Sequence, residues 1–132
     1  MSRSIDYLFS RIRESKAKDK RYVVYCSFLQ IYNEKIFDLL NVTQLAKTSF
    51  DSAGLKVRQK NEYFFVEGLY TFECKSSESI HDLLRLGLRN RVIAERINHS
   101  SSRSHTILTL TVESTSIQGK VILINSYRKI IQ

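Results

Sequence analysis

Tyr22-Val23-Val24-Tyr25-Cys26-Ser27-Phe28-Leu29-Gln30-Ile31-Tyr32 is apolar on both of its alternating faces and rich in β-branched and aromatic residues. A strand with one face in water alternates apolar and polar side chains. A strand apolar on both faces is covered on both, as in an α/β sheet. The run therefore predicts a central strand over residues 22–32 and an α/β fold around it.

Working outward, residues 4–15 read as a helix. Ser4 is placed to cap it, and Ile5, Leu8, Phe9 and Ile12 fall on one face. The basic run over 16–21 is a solvated connection. After the strand, Asn33 with Glu34 reads as the capped start of a short helix through Leu40. Residues 41–53 are polar and loop-like. Over residues 54–58 the pattern alternates and turns Leu55 and Val57 inward. A turn at Lys60 and Asn61 then leads into a run over 63–74 broken at Gly68, which predicts a hairpin. Residues 77–91 form the clearest helix. Ser76 or Ser77 caps it, Ile80, Leu83, Leu84 and Leu88 make its apolar face, and Arg85, Arg89 and Arg91 crowd its negative end. Residues 106–113 alternate, with Leu108, Leu110 and Val112 on one face, and residues 121–124 make a short, wholly apolar strand. The order of elements is that of an α/β domain with a mixed sheet.

The 132 residues suit one domain. A hydrophobic content of 42% against 26% charged excludes a disordered chain and supports a real core. The net charge of +8 points to a polyanionic partner or a solvated basic surface, and charge by itself does not choose between them. Cys26 and Cys74 stand far apart, outside any C-x-x-C pair. They read as buried thiols rather than zinc ligands, in a reducing, intracellular compartment. No signal peptide and no apolar run of membrane-spanning length occurs, so no membrane partner is expected. The aromatics sit in apolar runs rather than among basic residues, which argues against nucleic-acid binding.

Residues 98–105, Asn-His-Ser-Ser-Ser-Arg-Ser-His, crowd hydroxyls, an amide, a guanidinium and two imidazoles between a basic helix end and a strand. Such a stretch can surround phosphate oxygens, and a serine oxygen can ligate Mg²⁺. It also reads as a polar loop or a phosphorylation target. A Ser/His hydrolase is disfavoured, because Ser104 and His105 would point to opposite faces of a strand.

Asn98-x-x-Ser101-Ser102-Arg103-Ser104-His105 resembles the switch I motif of the kinesin motor domain family, N-x-x-S-S-R-S-H, at every fixed position. Residues 27–40 resemble the family's S-F-x-E-I-Y-N-E-x-I-x-D-L-L and depart from it at Gln30. Val66-Glu67-Gly68-Leu69 resembles V-x-G-L, and the stretch from Gly87 to Arg91 resembles G-x-x-N-R. The resemblance implies a partial kinesin motor-domain fold over residues 1–124, half of the central mixed β-sheet with flanking helices, and a divergent tail over 125–132. It implies ATP and Mg²⁺ as ligands, microtubules (tubulin) as partner, and a place in the cytoplasm on the cytoskeleton. By position, Ser102 would approach the metal and the γ-phosphate. Asn98 and Ser101 would help hold the phosphate and the attacking water, and Arg103 would pair with a switch II glutamate. Ser104 and His105 would complete the loop. Arg58 and Lys60 resemble a tubulin-contacting loop, and they read equally as an exposed basic turn.

Two of the family's elements do not occur in the 132 residues. There is no G-x-x-x-x-G-K-[ST], the loop whose backbone and lysine hold the β- and γ-phosphates. Past Ile124 the family's D-L-A-G-S-E is replaced by Asn125-Ser126-Tyr127-Arg128-Lys129-Ile130. The change is the pattern of a frameshift, an unspliced intron, or a truncated or decayed gene. The expectation is a kinesin-like motor-domain fragment not catalytically competent alone. The alternative is a non-hydrolysing tubulin-binding module.

Overall fold

The run that decides the fold becomes a strand paired along both of its edges. The computed structural model describes residues 2–14, 20–41, 54–98, 104–116 and 121–131. In chain order the elements are α1 (Ser2–Glu14), β1 (Lys20–Tyr32), β2 (Lys35–Asp38), β3 (Val57–Lys60), β4 (Tyr63–Val66), β5 (Phe72–Cys74), α2 (Ser77–Asn98), β6 (Ser104–Ser116) and β7 (Val121–Ile131). β1 pairs with β6 along its whole length, from Lys20↔Ser116 to Tyr32↔Ser104. Its other edge is shared by β5, opposite Val24–Cys26, and β2, opposite Leu29–Tyr32. β7 lies on the outer side of β6. All of these pairings are antiparallel. β3 and β4 form a separate two-stranded hairpin.

The period of two on β1 sends Val24, Cys26, Phe28 and Gln30 to one face and Ser27, Leu29 and Ile31 to the other. Val24, Cys26 and Phe28 join Leu108, Leu110, Ile5, Phe9, Leu39, Leu40 and Ile80 in an apolar core beneath the two helices, and Gln30 is buried on the same face. Contact there is close. A Cβ on Gly87 of α2 would fall 2.2 Å from Phe28 Cδ1, so only glycine lets the helix backbone rest on that ring. The second set faces the β3–β4 hairpin across an open apolar cleft.

Four sequence expectations change. The short helix from Asn33 to Leu40 is instead a hairpin: Tyr32 pairs with Lys35 across a two-residue turn, followed by β2. Asn33 and Glu34 both take positive φ, 47° and 61°, the backbone sign of a type I′ turn that suits strand twist. Asparagine serves that turn as well as it serves a helix cap, and the rungs offered by β1 decide between them. Val57 is not buried: it lines the open cleft and stays 54% exposed. α2 runs on past residue 91 to Asn98: Arg85 and Arg89 mark an exposed side rather than the end, and Arg91 is half-buried. The expected cap is present, with the Ser79 N–H donating to Ser76 Oγ at 3.2 Å. β6 and β7 are also longer than the alternation over 106–113 and 121–124 indicates. Pairing with β1 and with each other carries them on through polar residues.

Candidate functional site

Three elements meet at one end of the sheet. β1 ends at Tyr32, α2 ends at Asn98, and β6 begins at Ser104 directly opposite Tyr32. Between the last two lie residues 99–103, so Ser101, Ser102 and Arg103 fall outside the described residues. Both ends of the motif are anchored. Asn98 is the final residue of a 22-residue helix. Ser104 is buried, and its hydroxyl accepts a bond from Arg91 Nη2 at 3.5 Å. His105 is exposed on the opposite face, paired in register with Ile31. The alternation thus separates Ser104 from His105, which is what counts against a Ser/His hydrolase.

The motif's approach is held from below. Asn90 Nδ2 donates to the Leu39 carbonyl at 2.6 Å, tying α2 to the end of β2. Asp38, itself buried, accepts the Leu40 N–H at 2.8 Å and the Tyr70 N–H at 2.7 Å. Burial raises its carboxyl above the usual carboxylate range, and the backbone donors Tyr70, Leu40 and Asn41 pull it partly back. Gln30 and Thr106, both buried, pair across β1 and β6 on the face that Ser104 shares. In the sequence Asn90, Asp38 and Gln30 stand inside family-like strings with no role of their own, and Arg91 reads only as a helix-end charge. A polar residue set in an otherwise apolar run, as Gln30 is, was the available signal.

Arg58 and Lys60 lie elsewhere, two residues apart on one face of β3, and both are exposed. Arg58 Nε bonds Glu67 Oε2 at 2.9 Å, so part of its charge is answered within the hairpin. Tyr63 and Phe65 stand opposite Lys60 and Arg58, and both are exposed. These two cations stand on the separate β3–β4 hairpin, not on the sheet that carries Ser104.

The family model of the kinesin motor domain matches residues 1–128. The chain belongs to the kinesin motor domain family. It is 37% identical over 129 residues to the kinesin-like protein KIF15-B of Xenopus laevis, a match covering 94% of this chain and 9% of that protein. It is 36% identical over 129 residues to human KIF15, with the same coverage. Among solved structures, that of a fast kinesin superposes with a TM-score of 0.79 at 28% identity, covering 98% of this chain and 34% of the other. The chain thus spans about 9% of the length of the curated relatives it matches. As a kinesin motor-domain fragment it belongs to a family that binds nucleotide with Mg²⁺. Hydroxyl oxygens of the kind Ser101, Ser102 and Ser104 carry are the hard donors that this ion takes. Among the described residues, no helix is long and apolar enough to cross a membrane.

Proposed function

We propose that residues 98–105 are the switch I element of a kinesin-type ATPase, the segment that senses the terminal phosphate of ATP. The observation carrying this is the double anchor: Asn98 closes α2 and Ser104 is buried, held by Arg91 and opposite Tyr32. Mg²⁺ with the nucleotide, when bound, supplies neutralisation of the charge that develops on the phosphates. Ser102 is the residue to hold the metal. Asn98 and Ser101 orient the phosphate and the water, and Arg103 is the residue for a switch II glutamate whose position Ile130 holds in this sequence. Ser104 works through its anchor, keeping the loop's exit fixed so that its donors are pre-positioned. His105 completes the element at the start of β6. Residues 1–124 carry the motor-domain part and residues 125–132 a divergent tail.

For partner, we propose microtubules, met in the cytoplasm on the cytoskeleton, with Arg58 and Lys60 on tubulin's acidic surface. A chain of net charge +8 suits an acidic partner. Phosphoryl transfer rests on positioning by several elements together, and the 132 residues hold no phosphate-binding loop sequence. By themselves they are therefore expected to show no microtubule-stimulated ATP hydrolysis, and stimulated turnover by the purified polypeptide would refute this.

The exposed hairpin favours a second reading, a non-hydrolysing tubulin-binding module. Co-sedimentation with microtubules across a salt series separates the readings. Binding that weakens with salt and is lost in Arg58→Glu/Lys60→Glu supports tubulin contact through β3. Binding unchanged by that pair removes it. Lys60→Glu should cost more than Arg58→Glu, since Glu67 already offsets Arg58.

A further inference from the structure

We propose that Cys26 and Cys74 form a dithiol modification site that takes a hydroperoxide and closes to an intramolecular disulfide. Both cysteines are free and buried, at 0% and 3% exposure. They lie on adjacent antiparallel strands, where Val24 faces Cys74 and Cys26 faces Phe72. Val24 and Cys26 point to the same side of β1, so the two thiols are diagonal neighbours on the helix-facing side of the sheet, and both belong to its apolar cluster.

The two sulfurs are not equivalent. The contact with Cys74, with burial, pushes the Cys26 thiol up, and the contact with Cys26 holds Cys74 below the usual thiol range, while Cys74 Sγ itself donates to the Phe72 carbonyl at 3.6 Å. Access follows the same asymmetry. A cleft of about 830 Å³ against α2 and another of about 440 Å³ against α1 both reach Cys74, and neither is lined by Cys26. Cys74 is therefore the sulfur that meets a reagent, and Cys26 the one that resolves the product.

The chemistry balances with the peroxide alone. The Cys74 thiolate attacks the outer peroxide oxygen, the O–O bond breaks, and the leaving oxygen takes a proton and departs as alcohol or water. Cys74 is then a sulfenic acid. Cys26 gives up its proton and attacks that sulfur, and the S–O bond breaks with loss of water. Two thiols lose two electrons, and one peroxide is reduced.

Diagonal neighbours have Cα atoms about 7–8 Å apart, whereas a disulfide spans about 4.4–6.8 Å. Closure must therefore slide β5 along β1, since the two strands already stand at paired spacing. β5 holds only three rungs, and Cys74 lies just ahead of Ser77, the first residue of α2, so the movement passes to the start of that helix.

The test treats the folded 132-residue chain with hydrogen peroxide, followed by intact mass and peptide mapping. The expected product is a loss of about 2 Da with the Cys26 and Cys74 peptides joined, reversed by a dithiol reductant. It should form at least tenfold faster in the native chain than in the same chain unfolded in urea, since the fold sets the pair. Cys26→Ser should accumulate a dimedone-trapped sulfenic acid at Cys74. Cys74→Ser should leave Cys26 at least tenfold slower to oxidise. If either variant fails to fold, the native-against-urea comparison on the unaltered chain still decides. Linkage between chains, over-oxidation of a single cysteine, or faster closure in urea would each overturn the proposal.

Discussion

The two faces of β1 are finished differently. On the helix side, Val24, Cys26, Phe28 and Gln30 are sealed under α1 and α2, with α2 seated so closely that Gly87 admits no side chain. On the hairpin side, Leu29, Ile31 and Ile107 line an open cleft whose far wall, Val57, Phe64 and Phe65, is itself largely exposed. One strand, apolar on both sides, thus has one face set by steric fit and one only loosely covered. The helix side is where stability is concentrated, and the hairpin side is where residues can change at little cost to the fold.

The largest test of this contrast is Phe28→Ala. With the ring fully buried, it should cost about 4 kcal/mol in urea unfolding. Gly87→Ala comes next. Overpacking against Phe28 should cost about 2 kcal/mol even after the helix gains about 1 kcal/mol from alanine. In the Phe28→Ala background that penalty should shrink to roughly 0.5 kcal/mol or less, because the cavity accepts the methyl. A penalty unchanged there would show that the two do not share one contact.

Asp38 tests the polar edge of the sealed side. Its carboxyl is raised in the folded chain, chiefly by burial. Between the unfolded and folded values the folded chain keeps a proton that the unfolded chain has released. Stability should therefore fall as pH rises through that window and level off above it. Asp38→Asn should lose this slope. It should also cost about 1–2 kcal/mol at neutral pH, because its amide offers one acceptor where Leu40 and Tyr70 both donate. An identical pH profile in the two proteins would defeat the assignment.

Smaller effects belong to the exposed parts. Glu34 sits at φ 61°, where glycine is favoured, so Glu34→Gly should raise stability by about 0.5 kcal/mol. Phe64→Ala, with the ring 67% exposed, should move it by less than about 0.5 kcal/mol. A loss near that of Phe28→Ala would mean that the hairpin side is packed after all.

Local pattern made much of this fold legible. β1, the apolar face of α2 and the inward positions Leu108 and Leu110 follow from periods of two and of 3.6. Residues 98–105, together with the strings around Phe28 and Asn90, were enough to point to the family. The hairpin at Asn33 was not legible, because a residue that caps helices also tolerates the left-handed turn, and only the free edge of β1 decides which role it takes.

By itself the sequence determined which residues must leave water and on what period, and it held the kinesin-like string in full. The tertiary structure alone decided that β2 is a strand, that Val57 stays exposed on an open cleft and that Cys26 meets Cys74. It also paired Asp38 with Tyr70, 32 positions away, and Asn90 with Leu39, 51 away. Short-range pattern cannot choose such partners, because a buried hydrogen-bonding group is satisfied by whatever packing brings within about 3 Å of it, and nothing in its own neighbourhood names that partner.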